Sequence, residues 1–162
     1  MQQYGTEWNP HVWIMREFIN SETNHLGVPL PRGRMRFYRR DSDGQVEFVG
    51  ENEIDHTPKD EASRVYTGNA FDIRGERRQT RFQSQYQPGS GWLDESFEIK
   101  LRNHKTESVT VRVVEHLYRW STWAIAQESM PHAQKDSRTI EYEVALGPGE
   151  EKAIAYTAHY TW

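Results

Sequence analysis

Apolar and polar residues alternate with period two along most of this chain. VTVRV at 109–113 sets Val109, Val111 and Val113 against Thr110 and Arg112. FEIKL at 97–101 sets Phe97, Ile99 and Leu101 against Glu98 and Lys100. In TIEYEVAL, Ile140, Tyr142, Val144 and Leu146 share one face, and in AIAYTAHYTW so do Ile154, Tyr156, Ala158, Tyr160 and Trp162. Such runs predict strands with one face toward a core and one toward solvent. Asp43-Gly44 between RMRFYR and QVEFVG predicts a tight hairpin. Gly147-Pro148-Gly149 predicts a turn, RNHKTES at 102–108 a hairpin loop, YQPGSGW at 86–92 a longer loop, and MPHAQKDS at 130–137 a loop. From Val113 to Trp120 both faces turn apolar, which predicts a β-bulge near Val113-Val114. Gly75 predicts a bulge or a close backbone approach. VWIMREFI near the start favours strand through its β-branched and aromatic content, and 122–129 reads as a further strand. The sum is an all-β protein of about nine strands, an antiparallel, immunoglobulin-like β-sandwich. Residues 1–10 read as a poorly ordered lead-in to a single domain spanning 1–162.

Composition narrows the chemistry. Apolar residues make up only 35% of the 162, yet 12% are aromatic, so a core must draw on large rings. Net charge is −4 with both signs interspersed, which speaks against a nucleic-acid partner. Cysteine is absent, which removes thiolate metal sites, redox motifs and thiol nucleophiles. No apolar run approaches the ~20 residues that span a bilayer.

Three constellations merit weighing. IDHTPKDE at 54–61 offers His56, Asp60 and Glu61 as metal ligands, but their spacing matches no metal motif. Pro58 dictates a bend, and Asp55 as a cap of local backbone donors is the simpler reading. Arg77 and Arg78 are candidates for binding an anion, against the reading of paired surface arginines. Tyr118, Trp120 and Trp123, with the stripe Tyr156, Tyr160 and Trp162, form either core or a sugar-stacking platform. Core is favoured because aliphatic residues are few. His104, His116 and His159 read as exposed or hydrogen-bonded histidines, and no cofactor motif or nucleophile elbow is present.

The ordered strings FINSETNHLGVPLPRGRMRFYRRD, FVGENEIDHTPKDE, VYTGNAFDIRGERRQT, ESFEIKLRNHK, VRVVEHLYRW and YTAHYTW resemble a bacterial domain of unknown function. It is found at the C-terminus of proteins similar to mucoidy inhibitor A. The resemblance runs from about His11 onward. It implies the C-terminal part of a longer exported protein, a periplasmic or extracellular setting, and no catalytic residue or cofactor. The expectation is a non-catalytic structural or protein-interaction module of the cell envelope, self-associating through edge strands at 11–20 or at the C-terminal strand. The alternative is a carbohydrate-binding module or glycan-acting hydrolase, using Trp120 or Trp123 with Asp94 and Glu95 on a polysaccharide.

Overall fold

The computed structural model describes His11–Trp162, so the lead-in expected at residues 1–10 lies outside the described residues. The described chain is all-β, with eleven strands in antiparallel sheets and a single short helical turn at Glu22–Asn24. It forms two compact units, His11–Phe71 and Asp72–Trp162.

The unit Asp72–Trp162 is a two-sheet sandwich. It contains β5 (Ile73–Gln87), β6 (Ser90–Asn103), β7 (Val109–His116), β8 (Thr122–Glu128), β9 (Ala133–Gln134), β10 (Thr139–Leu146) and β11 (Glu151–Thr161), numbered after the four strands of the first unit. One sheet has the order β5-β6-β11-β8 and the other β7-β10-β9. The inward residues of β6, β10 and β11 are those that period two predicts. Phe97, Ile99, Leu101, Ile140, Tyr142, Val144, Leu146, Ile154, Tyr156, Ala158 and Tyr160 are all at most 4% exposed. The faces meet where Tyr142 of β10 packs on Tyr156 of β11, ring centroids 5.9 Å apart. Burying each large side chain contributes about 1.5–3 kcal/mol.

Several connections differ from expectation. The 102–108 segment closes no hairpin. Strand β6 already has β5 on one edge and β11 on the other, so β7 leaves for the second sheet. The supposed loop at 86–92 is a tight hairpin, in which Gln87 pairs with Ser90 across Pro88-Gly89. Proline presets the first turn residue and Gly89, at φ 83°, supplies the left-handed second one. The 146–152 turn uses the same chemistry at Pro148-Gly149, with the Gly147 N–H donating to Glu150 Oε2 at 2.6 Å. There is no bulge at Val113-Val114, because β7 and β10 stay in register from Val109 to His116. The irregularity of β5 falls between Gln79 and Arg81, and Gly75 pairs with Leu101 without interruption. Within 130–137, Ala133–Gln134 adds a two-residue strand. The C-terminal strand β11 is interior, flanked by β6 and β8, and so offers no free edge.

The unit His11–Phe71 comprises β1 (Trp13–Ile19), β2 (Gly33–Arg40), β3 (Val46–Ile54) and β4 (Ala62–Asn69). Strand β1 pairs with β4, and β2 pairs with β3 through the expected Asp43-Gly44 hairpin, with Gly44 at φ 85°. Asn52 Nδ2 donates to Tyr66 O at 3.4 Å, which ties β3 to β4. Val65 is this unit's one fully buried large apolar side chain. Its organising residue is polar. Asn20 is 0% exposed, and its amide donates to Val28 O (2.7 Å), Thr57 O (3.1 Å) and Pro58 O (2.9 Å) while accepting from Gly27 N (3.0 Å). One side chain thus joins the loop after β1 to the loop before β4. Asn103 repeats the device in the other unit, donating to Glu107 O and Gly147 O, each at 2.8 Å.

Replacing Asn20 with Ala strands buried carbonyls without donors. The expected loss is about 1–3 kcal/mol. Chemical denaturation checks it, with Asn52→Ala, which removes a single half-buried hydrogen bond, expected to shift the midpoint far less.

Candidate functional site

The densest group of ionisable side chains lies inside the sandwich. The inward register of β5 carries Ile73, Gly75, Arg77 and Gln79; that of β6 carries Leu101, Ile99, Phe97 and Glu95; that of β7 carries Val109, Val111, Val113 and Glu115. Read from one end of the sandwich, the inner face of each strand therefore runs from apolar to polar, β6 doing so against its chain direction. Arg119, just past β7, completes the set.

The result is two guanidinium–carboxylate pairs. Arg77 Nε donates to Glu115 Oε1 and Oε2 at 3.1 and 3.0 Å, and its Nη2 reaches Oε2 at 2.9 Å. The Tyr156 hydroxyl donates a short hydrogen bond to the same carboxylate. The Arg77 guanidinium also lies 3.7 Å from the centre of the Phe97 ring. Arg119 donates to Glu95 Oε2 through Nε (3.0 Å) and Nη2 (2.9 Å), joined there by Gln79 Nε2 at 3.2 Å. The Tyr160 hydroxyl donates to Glu95 Oε1 at 3.4 Å. All four charged side chains are at most 10% exposed. A charge in such a place needs its partner, because desolvation of an unpaired ion costs several kcal/mol.

The environment sets the protonation. Burial, then the Glu115 carboxylate, pushes the Tyr156 phenol far above its ordinary range, and burial with Glu95 does the same for Tyr160. Tyr142, buried and donating to Glu128 Oε2 at 3.2 Å, is raised as well. Burial disfavours the Arg77 cation, but Glu115 more than offsets it, so the guanidinium holds its proton more tightly than usual. The two tyrosines are locked as hydrogen-bond donors.

Between the pairs lies a cavity of about 10 Å³, lined by Arg77, Glu95, Phe97, His116, Leu117, Tyr118, Arg119, Tyr156 and Tyr160. That volume suits roughly one water molecule. No buried side-chain nitrogen or oxygen among the described residues lacks a hydrogen-bond partner. The arrangement neutralises its own charges and offers no room for a substrate.

The residues singled out from sequence fall in different places. Arg77 and Arg78 point to opposite faces of β5. Arg77 is in the network, while Arg78 pairs on the outer face with Glu98 at 3.1 Å, so the two form no joint anion cradle. Asp94 and Glu95 likewise diverge: Glu95 is inward, and Asp94 lies outside against His159 Nδ1 at 2.5 Å. They do not face one another across a cleft. Trp123 donates its indole N–H to Ser137 O at 2.8 Å. Trp120 is 49% exposed and packs on Trp162, centroids 5.7 Å apart. The aromatic stripe divides, with Tyr156 and Tyr160 in the core and Trp162 exposed, while Tyr118 and Trp120 of the other cluster are exposed as well. His56, Asp60 and Glu61 are all exposed, with His56 Nδ1 accepting from Arg32 N at 3.3 Å and Asp60 in left-handed backbone at φ 65°. Among the described residues no three His, Cys, Asp or Glu side chains converge as metal ligands. Asp55 caps locally, accepting from the His56 N–H at 2.8 Å.

Sequence reading missed that Glu115 and Arg119 belong with Arg77 and Glu95. The signal was present as inward phase: counting by twos from Val109 arrives at Glu115, and from Leu101 at Glu95. Val114 looked like a core residue and suggested a phase shift. It lies outward and is 45% exposed.

Two predictions follow from this geometry. Glu115→Leu alone leaves Arg77 buried without its carboxylate and is expected to destabilise by about 3–5 kcal/mol, while Arg77→Met combined with Glu115→Leu recovers most of the loss. Denaturant midpoints of the two single variants and the double variant test this. Second, the folded chain holds the phenolic protons of Tyr142, Tyr156 and Tyr160 more tightly than the unfolded chain does. Their contribution to stability is complete below about pH 10 and declines as pH rises beyond it. In an alkaline absorbance titration these three tyrosines are expected to ionise only together with unfolding. Comparison of the chain with protein-family models, curated proteins and solved structures finds no match.

Proposed function

We propose that this chain is a non-catalytic structural and protein-interaction module of an exported bacterial envelope protein, working in the periplasm or outside the cell. The envelope setting rests on the family resemblance of the sequence. The non-catalytic reading is supported by the buried network, whose carboxylates are each engaged by a guanidinium and a phenol. Among the described residues no helix is long and apolar enough to cross a membrane.

The single observation that carries the interaction reading is the surface of the His11–Phe71 unit. Beside one buried core residue it exposes Trp13 (57%), Val28 (63%), Tyr38 (57%) and Phe48 (57%). Exposed apolar side chains of this size mark association surfaces where they adjoin, as Tyr38 and Phe48 do with ring centroids 5.7 Å apart. Strand β1 is also an edge among the described residues, paired only with β4, and carries Ile14 and Ile19 in the open. Edge strands of this kind recruit further strands unless charge or proline protects them. Self-association through β1 is the form of interaction that this supports.

Sedimentation velocity over a hundredfold range of concentration tests it. The expected result is a concentration-dependent shift to a larger species, abolished by Ile14→Lys with Ile19→Lys while the unfolding midpoint is retained. A single monomeric boundary at every concentration would overturn the self-association reading.

A further inference from the structure

The outer face of the four-stranded sheet carries a second group of side chains, unconnected with the buried network. Directly paired residues on antiparallel strands share a face. Register therefore places Trp92 between Gln85 and Thr161, Asp94 between Gln83 and His159, and Ser96 between Arg81 and Thr157. Three adjacent rows across β5, β6 and β11 result. Internal contacts hold the middle of this surface in place. His159 Nδ1 bonds Asp94 Oδ1 at 2.5 Å, Ser96 Oγ bonds Thr157 Oγ1 at 2.8 Å, and Trp92 Nε1 donates to Gln85 Oε1 at 3.0 Å. The Trp92 and His159 rings stack with centroids 6.2 Å apart and planes 27° apart.

Those contacts leave much bonding capacity unused. Among the described residues, the Gln83 amide, the Gln85 amide nitrogen, His159 Nε2 and the Arg81 guanidinium have no hydrogen-bond or ion-pair partner. Arg81, Gln83 and Gln85 are exposed in one row along β5. The neighbouring outward arginine, Arg78, is by contrast neutralised by Glu98. The surface thus combines an ordered indole, the uncommitted Gln83 amide, the Gln85 amide nitrogen, an imidazole nitrogen and one uncompensated cation.

We infer that this face binds an oligosaccharide bearing a carboxylate, such as one containing a uronate unit. A sugar ring presents a C–H face to an indole and hydroxyls to amides, and its carboxylate complements the planar, bidentate Arg81 guanidinium. A sheet face positions such groups more firmly than a loop, since ladder pairing sets the backbone on either side. Single-stranded nucleic acid would also stack on Trp92, but it brings a phosphate at every nucleotide and needs a basic groove. Asp94 and Glu98 lie on the same face, and the net charge of the chain is −4. The inference is independent of self-association, because the face belongs to the Asp72–Trp162 unit and β1 to the other.

Calorimetry with the full chain tests it, using hyaluronan and polygalacturonate fragments, neutral chito-oligosaccharide, and an oligothymidylate. The expected result is binding of at least one uronate-containing fragment that exceeds binding of the chito-oligosaccharide and the oligothymidylate. Trp92→Ala weakens it by about tenfold or more and Trp92→Phe by less. Arg81→Gln removes the preference over the neutral sugar, and added salt erodes that preference in the parent chain. Circular dichroism and unfolding midpoints establish that the variants are folded. No binding of either uronate fragment at millimolar concentration would overturn the inference. So would binding indifferent to Trp92→Ala and Arg81→Gln, or stronger binding of the oligothymidylate.

Discussion

Two opposite charges cannot be left apart in an apolar interior, and the Asp72–Trp162 sandwich is built around that constraint twice. Arg77 meets Glu115 across the sheets, and Arg119 meets Glu95. Each pair is joined by a tyrosine from β11, so β5, β6, β7, β11 and the segment after β7 must arrive together. A slip of one residue turns the apolar set of a strand outward, and here it also turns a buried carboxylate to the wrong face and strands its guanidinium. Replacing such pairs with apolar residues is often neutral for stability. Their contribution here is registration: they fix which part of β7 faces β5 and how the chain leaves β7 beyond Leu117.

The two units reach order by different means. In Asp72–Trp162, a continuous apolar layer grades into the charged layer, and Asn103 ties the connecting loops at the apolar end. In His11–Phe71 there is little apolar layer, and Asn20 carries the corresponding role with four backbone partners. A short chain with one fully buried large apolar residue draws less on hydrophobic burial and more on satisfied backbone groups. It keeps apolar side chains in the open, which is the physical basis for reading it as the associating part of the molecule.

Much of the architecture was legible in the sequence. Alternation identified the inward residues of β6, β10 and β11, because a strand with one wet face has little freedom over which side chains go inside. The Asp43-Gly44 hairpin followed from local backbone preference. Connectivity was harder. The polar loop at 102–108 looks the same whether the next strand pairs with β6 or crosses to another sheet, and only the occupancy of both β6 edges decides it. The site was harder still. Inward Glu95 and Glu115 contradict hydrophobic patterning one at a time and make sense only beside Arg119 and Arg77, partners 24 and 38 residues away in sequence. Arg78 shows the limit of adjacency as evidence, since its neighbour Arg77 is buried while it is not.

The central claim is that two arginine–glutamate pairs are closed off inside the sandwich and serve structure. Exchange of arginine Nε protons with solvent, followed by nitrogen-15 nuclear magnetic resonance, measures this most directly. The account predicts two Nε–H signals, assigned to Arg77 and Arg119, that persist at neutral to mildly alkaline pH while those of the surface arginines are lost to exchange. If the Arg77 and Arg119 signals exchange as fast as that of Arg78, the interior is open to solvent and the account is wrong.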